Sequence, residues 1–198
     1  MGFFGDQKDK EVKQRVLCAV YENTRTVDQE IKAMSRILQD LLQQPLTEDR
    51  EIIFLCVGSD RSIGDALGPL VGTMLKEEGV PYGIYGTLEE PVHAFNLEST
   101  LKLLKRRFRR PFIISIDAGL GEKEQVGAVL LKEGPLLPGQ ALKKVLPAVG
   151  DYHLTGVVNY LDPLPAAQFL NDTRLHTVMK LAKTIVHVII SHNEGRSG

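Results

Sequence analysis

The sequence predicts an α/β sandwich of three layers, with a mainly parallel or mixed central sheet flanked by helices. Two short, strongly apolar runs, Ile52–Val57 and Phe112–Ile116, have the length and composition of strands buried on both faces. Segments with apolar residues at helical spacing alternate with the strand-like runs, as a parallel sheet with crossover helices requires. Both runs also end at a glycine-containing stretch that carries aspartate, and open α/β sheets bind ligands just beyond the carboxyl ends of their strands.

The elements follow in order. The 198 residues suffice for one well-buried domain. An N-terminal arm over residues 1–25, extended or partly ordered, mixes charge with sparse apolar positions, and a single domain is expected over residues 26–198. Ile31, Met34, Ile37, Leu38, Leu41 and Leu42 predict an amphipathic helix, with Thr26 or Asp28 as its N-cap and Pro45 just past its end. The first apolar strand ends at Gly58. A polar loop then leads to a helix from Asp65 or Ala66 to about Glu78, stopped by Gly79. Tyr82–Tyr85 reads as a short strand. Leu97, Leu101, Leu103, Leu104 and Phe108 predict a helix that starts near Asn96 and ends in the basic cluster Lys105–Arg110. The second apolar strand, from Phe112, ends at Asp117. Val126–Leu131 and Leu154–Val158 are further strands, and a last helix runs from Thr173 to about His192.

Composition excludes several classes. A hydrophobic content of 43%, a charged content of 25% and a net charge of −1 describe a globular chain with no overall attraction to nucleic acid or anionic lipid. The cluster KRRFRR fits a solvated helix end, where cations suit the macrodipole; nucleic-acid binding there is the weaker alternative. Two cysteines, Cys18 and Cys56, make no disulfide scaffold, so a reducing cytoplasm is expected. No apolar run approaches the roughly 20 residues that span a bilayer, and the first residues predict no secretory leader.

Asp65 and Asp117 occupy equivalent places after two strands. If those strands are neighbours, both carboxylates enter one crevice. Two such groups share a proton and serve as acid and base on a water, or a divalent metal relieves their repulsion and activates its own water. A bland alternative remains open: Asp65 as the N-cap of a helix at Ala66, Asp117 as the cap of a turn at Gly119. His153, in GDYHLTGVV, lies at the mouth of another apolar segment and is the candidate third member, since two carboxylates and one imidazole make an open metal site. His93, His176, His187 and His192 have weaker cases. Gly58, Gly64 and Gly68 fit neither dinucleotide nor Walker spacing. Ser59 and Ser62 lack the hydrolase elbow. Arg61 suits either a substrate carboxylate or a surface ion pair.

CVGSDRSIGDALGPLV, with IISIDAGLG further on, resembles the sporulation protein YyaC family of endospore-forming bacteria, over nearly the whole chain from Glu51 onward. More distantly the chain resembles two peptidase families of phosphorylase/hydrolase-like (HybD-like) fold. DALGPLV and GPLLPG (134–139) are similar to segments of the spore germination protease, an atypical aspartic protease whose two aspartates fall on Asp65 and Asp117. The hydrogenase maturation peptidase has acidic ligands that match Asp65 and Asp117, and a histidine in an HxxG context that matches His153 with Gly156. In that family these residues hold a metal of zinc or nickel type. The chain departs from it with Asp for the common Glu at position 65, and with Ser59 and Gly64 for Asn and Asp.

The resemblance implies a sporulation-associated peptidase of the forespore or mother-cell cytoplasm. Asp65 and Asp117 would be catalytic, and Asp65, Asp117 and His153 the candidate metal ligands. The expected partner is a protein or peptide substrate, with no nucleic acid and no membrane, and a homo-oligomer is compatible with it. The alternative is a non-catalytic protein that uses the same crevice to bind a protein partner or a chain terminus.

Overall fold

The computed structural model describes residues 14–22, 24–138, 146–160 and 172–191. The elements are β1 (Val16–Tyr21), α1 (Val27–Thr47), β2 (Ile52–Cys56), α2 (Leu67–Glu77), β3 (Gly83–Tyr85), α3 (Leu97–Arg107), β4 (Phe112–Gly121), β5 (Ala128–Glu133), β6 (Tyr152–Tyr160) and α4 (Leu175–Ile190). Every residue of β2 is buried, which requires a neighbour on each side and a layer on each face. The six strands run in the order β1-β5-β6-β4-β2-β3. β3, β2, β4 and β6 are mutually parallel, while β5 lies antiparallel to β6 and β1 antiparallel to β5. The sheet is therefore mixed, as expected.

Alternation along the strands sorts the core into two layers. Ile52, Phe54 and Cys56 of β2 and Ile114 and Ile116 of β4 face α1, α2 and α4, where Met34, Leu38, Leu67, Val71, Leu181 and Ile185 are buried against them. The intervening residues Ile53, Leu55 and Ile113 face α3, meeting Leu97 and Leu104. Helices on both faces of one sheet complete the three-layer α/β sandwich. No helix among the described residues is long and apolar enough to cross a membrane.

Three boundaries differ from the sequence-based expectation. Residues 16–21, assigned to the arm, form β1 and pair with β5, so the folded unit begins well before residue 26. Val20 is fully buried there, one apolar side chain too few for a periodic signal. α1 continues through Pro45 to Thr47. A proline in the last turn removes a single ladder bond, and here its ring is buried. β4 does not stop at Asp117 but runs to Gly121, because β6 pairs with it all the way from Ile114 to Gly121. Residues 1–13, Gly139 and the tail from His192 lie outside the described residues.

Candidate functional site

The chain leaves β2, crosses by α2 to β3 on one side, and returns by α3 to β4 on the other side of β2. The strand order thus reverses between β2 and β4, and a crevice opens at such a switch point. Asp65 arrives there in the short 3-10 turn Gly64–Ala66 that precedes α2. Asp117 arrives on β4, one position beyond the Cys56–Ile116 pairing. The two expected neighbours are indeed adjacent strands.

The turn is held in place by main chain meeting main chain. Gly58 has φ +145°, and a Cβ there would lie 2.1 Å from the Asp65 carbonyl oxygen. A Cβ on Gly68 would lie 2.1 Å from the Val57 carbonyl oxygen. The glycines let the start of α2 rest directly on the end of β2, which fixes where Asp65 stands. The Ser59 N–H donates to the Asp65 carbonyl at 3.1 Å and closes the loop. Neither aspartate is a simple cap. No side-chain cap bond forms at the 3-10 turn or at α2. Asp117 sits inside a strand, its Oδ1 accepting the adjacent Ala118 N–H at 2.8 Å.

Both carboxyls hold their protons more tightly than usual. Burial pushes Asp117 well above the ordinary 3.8, and the Asp65 charge pushes it further. Burial also raises Asp65, while the Ser59 N–H and the nearby charge of His93 pull it back. Both side chains nevertheless keep partial solvent exposure. The pair is therefore asymmetric: Asp117 is the better proton holder, Asp65 the better carboxylate.

The histidine beside the pair is His93, not His153. His93 follows Val92, which bridges Val57 at the end of β2. Its own N–H donates to Asn96 Oδ1 at 2.7 Å. The Phe95 N–H donates to His93 Nδ1 at 3.3 Å. His153 is buried on β6 opposite Ser115 and Lys132. Its Nδ1–H donates to the Gly134 carbonyl at 2.9 Å, and burial keeps the ring neutral by lowering its pKa. Among the described residues, no three His, Cys, Asp or Glu side chains form a group able to hold a metal. The set Asp65, Asp117 and His153 is thus not assembled: the two aspartates meet and His153 faces another partner. Zinc or nickel does not fit this donor arrangement.

The family profile described as "Protein of unknown function (DUF1256)" matches residues 24–188. The chain belongs to this family. It is 38% identical over 156 residues to a Bacillus subtilis (strain 168) protein described as "Uncharacterized protein YyaC", covering 77% of this chain and 76% of that one. Among solved structures, it is similar to a [NiFe] hydrogenase maturation protease, HycI, from Thermococcus kodakarensis KOD1. That likeness has a TM-score of 0.41 and 16% identity, and covers 77% of this chain and 98% of the other. A likeness of that size decides nothing about activity, and the α/β assignment rests on the sheet and its helical layers.

Within this DUF1256 chain, the sequence undervalued His93, because its position beside Asp65 depends on the Val57–Val92 bridge between distant segments. A second residue was also passed over. Ser62 Oγ is buried in the same loop with no hydrogen-bond partner among the described residues. Its signal was its place three residues before Asp65, not a motif. Arg61 is exposed at the loop's outer side. The arrangement as a whole is that of two carboxyls with unequal proton affinity and an imidazole whose charge acts on one of them. It can move protons to and from a reacting carbonyl.

Proposed function

We propose that this protein is a sporulation-associated peptidase that hydrolyses a peptide bond with water activated by the Asp65/Asp117 pair. The observation that carries this is the arrival of the two carboxyls at the switch point of the sheet, where the charge of Asp65 raises Asp117. The resemblance to the spore germination protease, whose aspartates match the same two positions, supports the peptidase class and a forespore or mother-cell setting.

In the proposed cycle the Asp65 carboxylate takes a proton from a water as its oxygen attacks the peptide carbonyl carbon. The Asp117 carboxyl donates its proton to the carbonyl oxygen. A tetrahedral diol results, with Asp65 protonated and Asp117 charged. As the C–N bond breaks, Asp65 gives its proton to the departing nitrogen and Asp117 recovers one from the diol hydroxyl. The products are a carboxylic acid and an amine, and both aspartates return to their starting states. His93, whose charge acts on Asp65, stands where it can pass protons between that carboxylate and solvent.

The test is digestion of forespore protein extracts by the full chain and by Asp65→Asn and Asp117→Asn. Loss of a general acid or base costs about a hundred- to ten-thousand-fold in rate. New peptide termini that appear with the unaltered chain and vanish in both variants support the assignment. Equal cleavage by all three proteins refutes the role of the aspartates, and none by any refutes the peptidase and leaves a crevice that binds without cutting.

A further inference from the structure

We infer that an extended, acidic segment of the protein substrate docks along the free edge of β3 and is led by it to the aspartate pair. This inference names the substrate-binding mode of the proposed peptidase and rests on that reading for its catalytic end. β3 is the terminal strand of the sheet, with β2 on one side and no strand on the other among the described residues. A groove of about 590 Å³ follows this edge. It is lined by Tyr85 and Gly86 of the edge itself, by Lys76 from α2, and by Leu103 and Arg107 from α3. Because α2 and α3 cover opposite faces, the groove straddles the rim of the sheet. It does not lie on either face. Main-chain hydrogen bonding to an added strand is the interaction such a rim offers.

The far end of the groove is His93, whose charge is felt by Asp65. Val92, just before it, continues the edge by pairing with Val57, and its carbonyl accepts the Gly58 N–H at 2.8 Å. An added strand therefore runs toward the level at which β2 ends and the carboxyls begin. Side-chain chemistry selects the guest. Lys76 and Arg107 are exposed, and neither forms an ion pair among the described residues. Glu90 is the one carboxylate in the lining. Arg107 donates to the Tyr85 hydroxyl at 3.4 Å and lies over the Phe108 ring, so its charge, like that of Lys76, has no acidic partner among the described residues. Two such cations against one anion favour acidic side chains on the guest. Leu103, 54% exposed, offers an apolar contact between them, and Phe95, 83% exposed, stands beside His93 at the catalytic end. Three residues of open edge are too few to template aggregation but enough to orient one strand.

The experiment uses two fluorescent peptides of alternating sequence, Glu-Leu and Lys-Leu repeats. Binding is measured on the full chain carrying Asp117→Asn, so that turnover does not interfere. The Glu-Leu peptide should bind, and amide exchange at residues 83–86 should slow in its presence. Adding Lys76→Glu and Arg107→Glu should weaken Glu-Leu binding by about ten-fold or more and favour Lys-Leu, as expected for rim charges. Binding that is indifferent to these substitutions, absent, or without protection at residues 83–86 overturns the docking mode. The same pair of charge reversals on the unaltered aspartates separates the two ideas. Extract cleavage that continues with unchanged kcat/KM removes the groove and keeps the peptidase, whereas edge binding without any cleavage keeps the groove and removes the peptidase.

Discussion

The charge of Asp65 raises the proton affinity of Asp117 across the boundary between β2 and β4, on top of what burial already does. Of the two carboxyls, Asp117 consequently holds its proton the more tightly.

The rate of hydrolysis should follow a bell-shaped pH profile. The rising limb marks ionisation of Asp65, whose value lies above 3.8. The falling limb marks loss of the Asp117 proton, held still more tightly. Asp117→Asn should remove the falling limb together with nearly all the rate, and pre-steady-state digestion of an extract-derived peptide at stepped pH measures both.

Stability should respond in the opposite direction. Asp117 has a folded value above its unfolded 3.8, so the folded state binds the proton more tightly. Stability then falls as pH rises through the interval between the two values, and the penalty is complete above it. Asparagine never ionises. Asp117→Asn should therefore melt at a higher temperature than the parent near neutral pH and at the same temperature below about pH 3.8. A lower melting temperature at neutral pH would show that the carboxylate is stabilising the fold instead.

Gly68→Ala tests the seam beneath the loop. Its new methyl would lie 2.1 Å from the Val57 carbonyl oxygen, with main chain on both sides. Relief requires α2 to lift from β2, at about 1–3 kcal/mol as for other overpacked sites. Denaturant titration measures that cost. Hydrolysis should fall along with it, since the lift displaces Asp65. Gly79→Ala is the control: it meets nothing within 4 Å, and its φ of +64° strains an alanine without touching the loop.

Metal removal should leave activity intact. His153 donates to Gly134 and no three-ligand group forms among the described residues. Protein stripped with a chelator should digest extracts as before, and added zinc or nickel should not raise the rate. A stoichiometric metal that disappears in His153→Ala would reverse this expectation and restore the three-ligand site.

The layered architecture was legible because its signal is local. Uninterrupted apolar runs such as Phe112–Ile116 and helical spacing at Ile31, Met34 and Leu38 each report their own element. The aspartates were legible for the same reason, as each closes a strand-like run. Pairing between distant segments leaves no such trace. β1 exists because β5 lies beside it, β4 reaches Gly121 because β6 does, and His93 reaches Asp65 through a single bridge at Val92. The choice between His93 and His153 was illegible for that reason. Both follow apolar or loop residues in sequence, and only the pairing of distant segments tells which one comes near Asp65.

The contact of α2 with β2 at Gly68 has a mechanical corollary. Side chains in a protein interior hop between rotamers even when closely packed, but a seam of peptide against peptide has no rotamers to hop. Asp65 is therefore anchored where main chain rests directly on main chain. Substitutions that loosen the apolar layer behind α2 should soften the protein long before they blur the aim of this carboxyl.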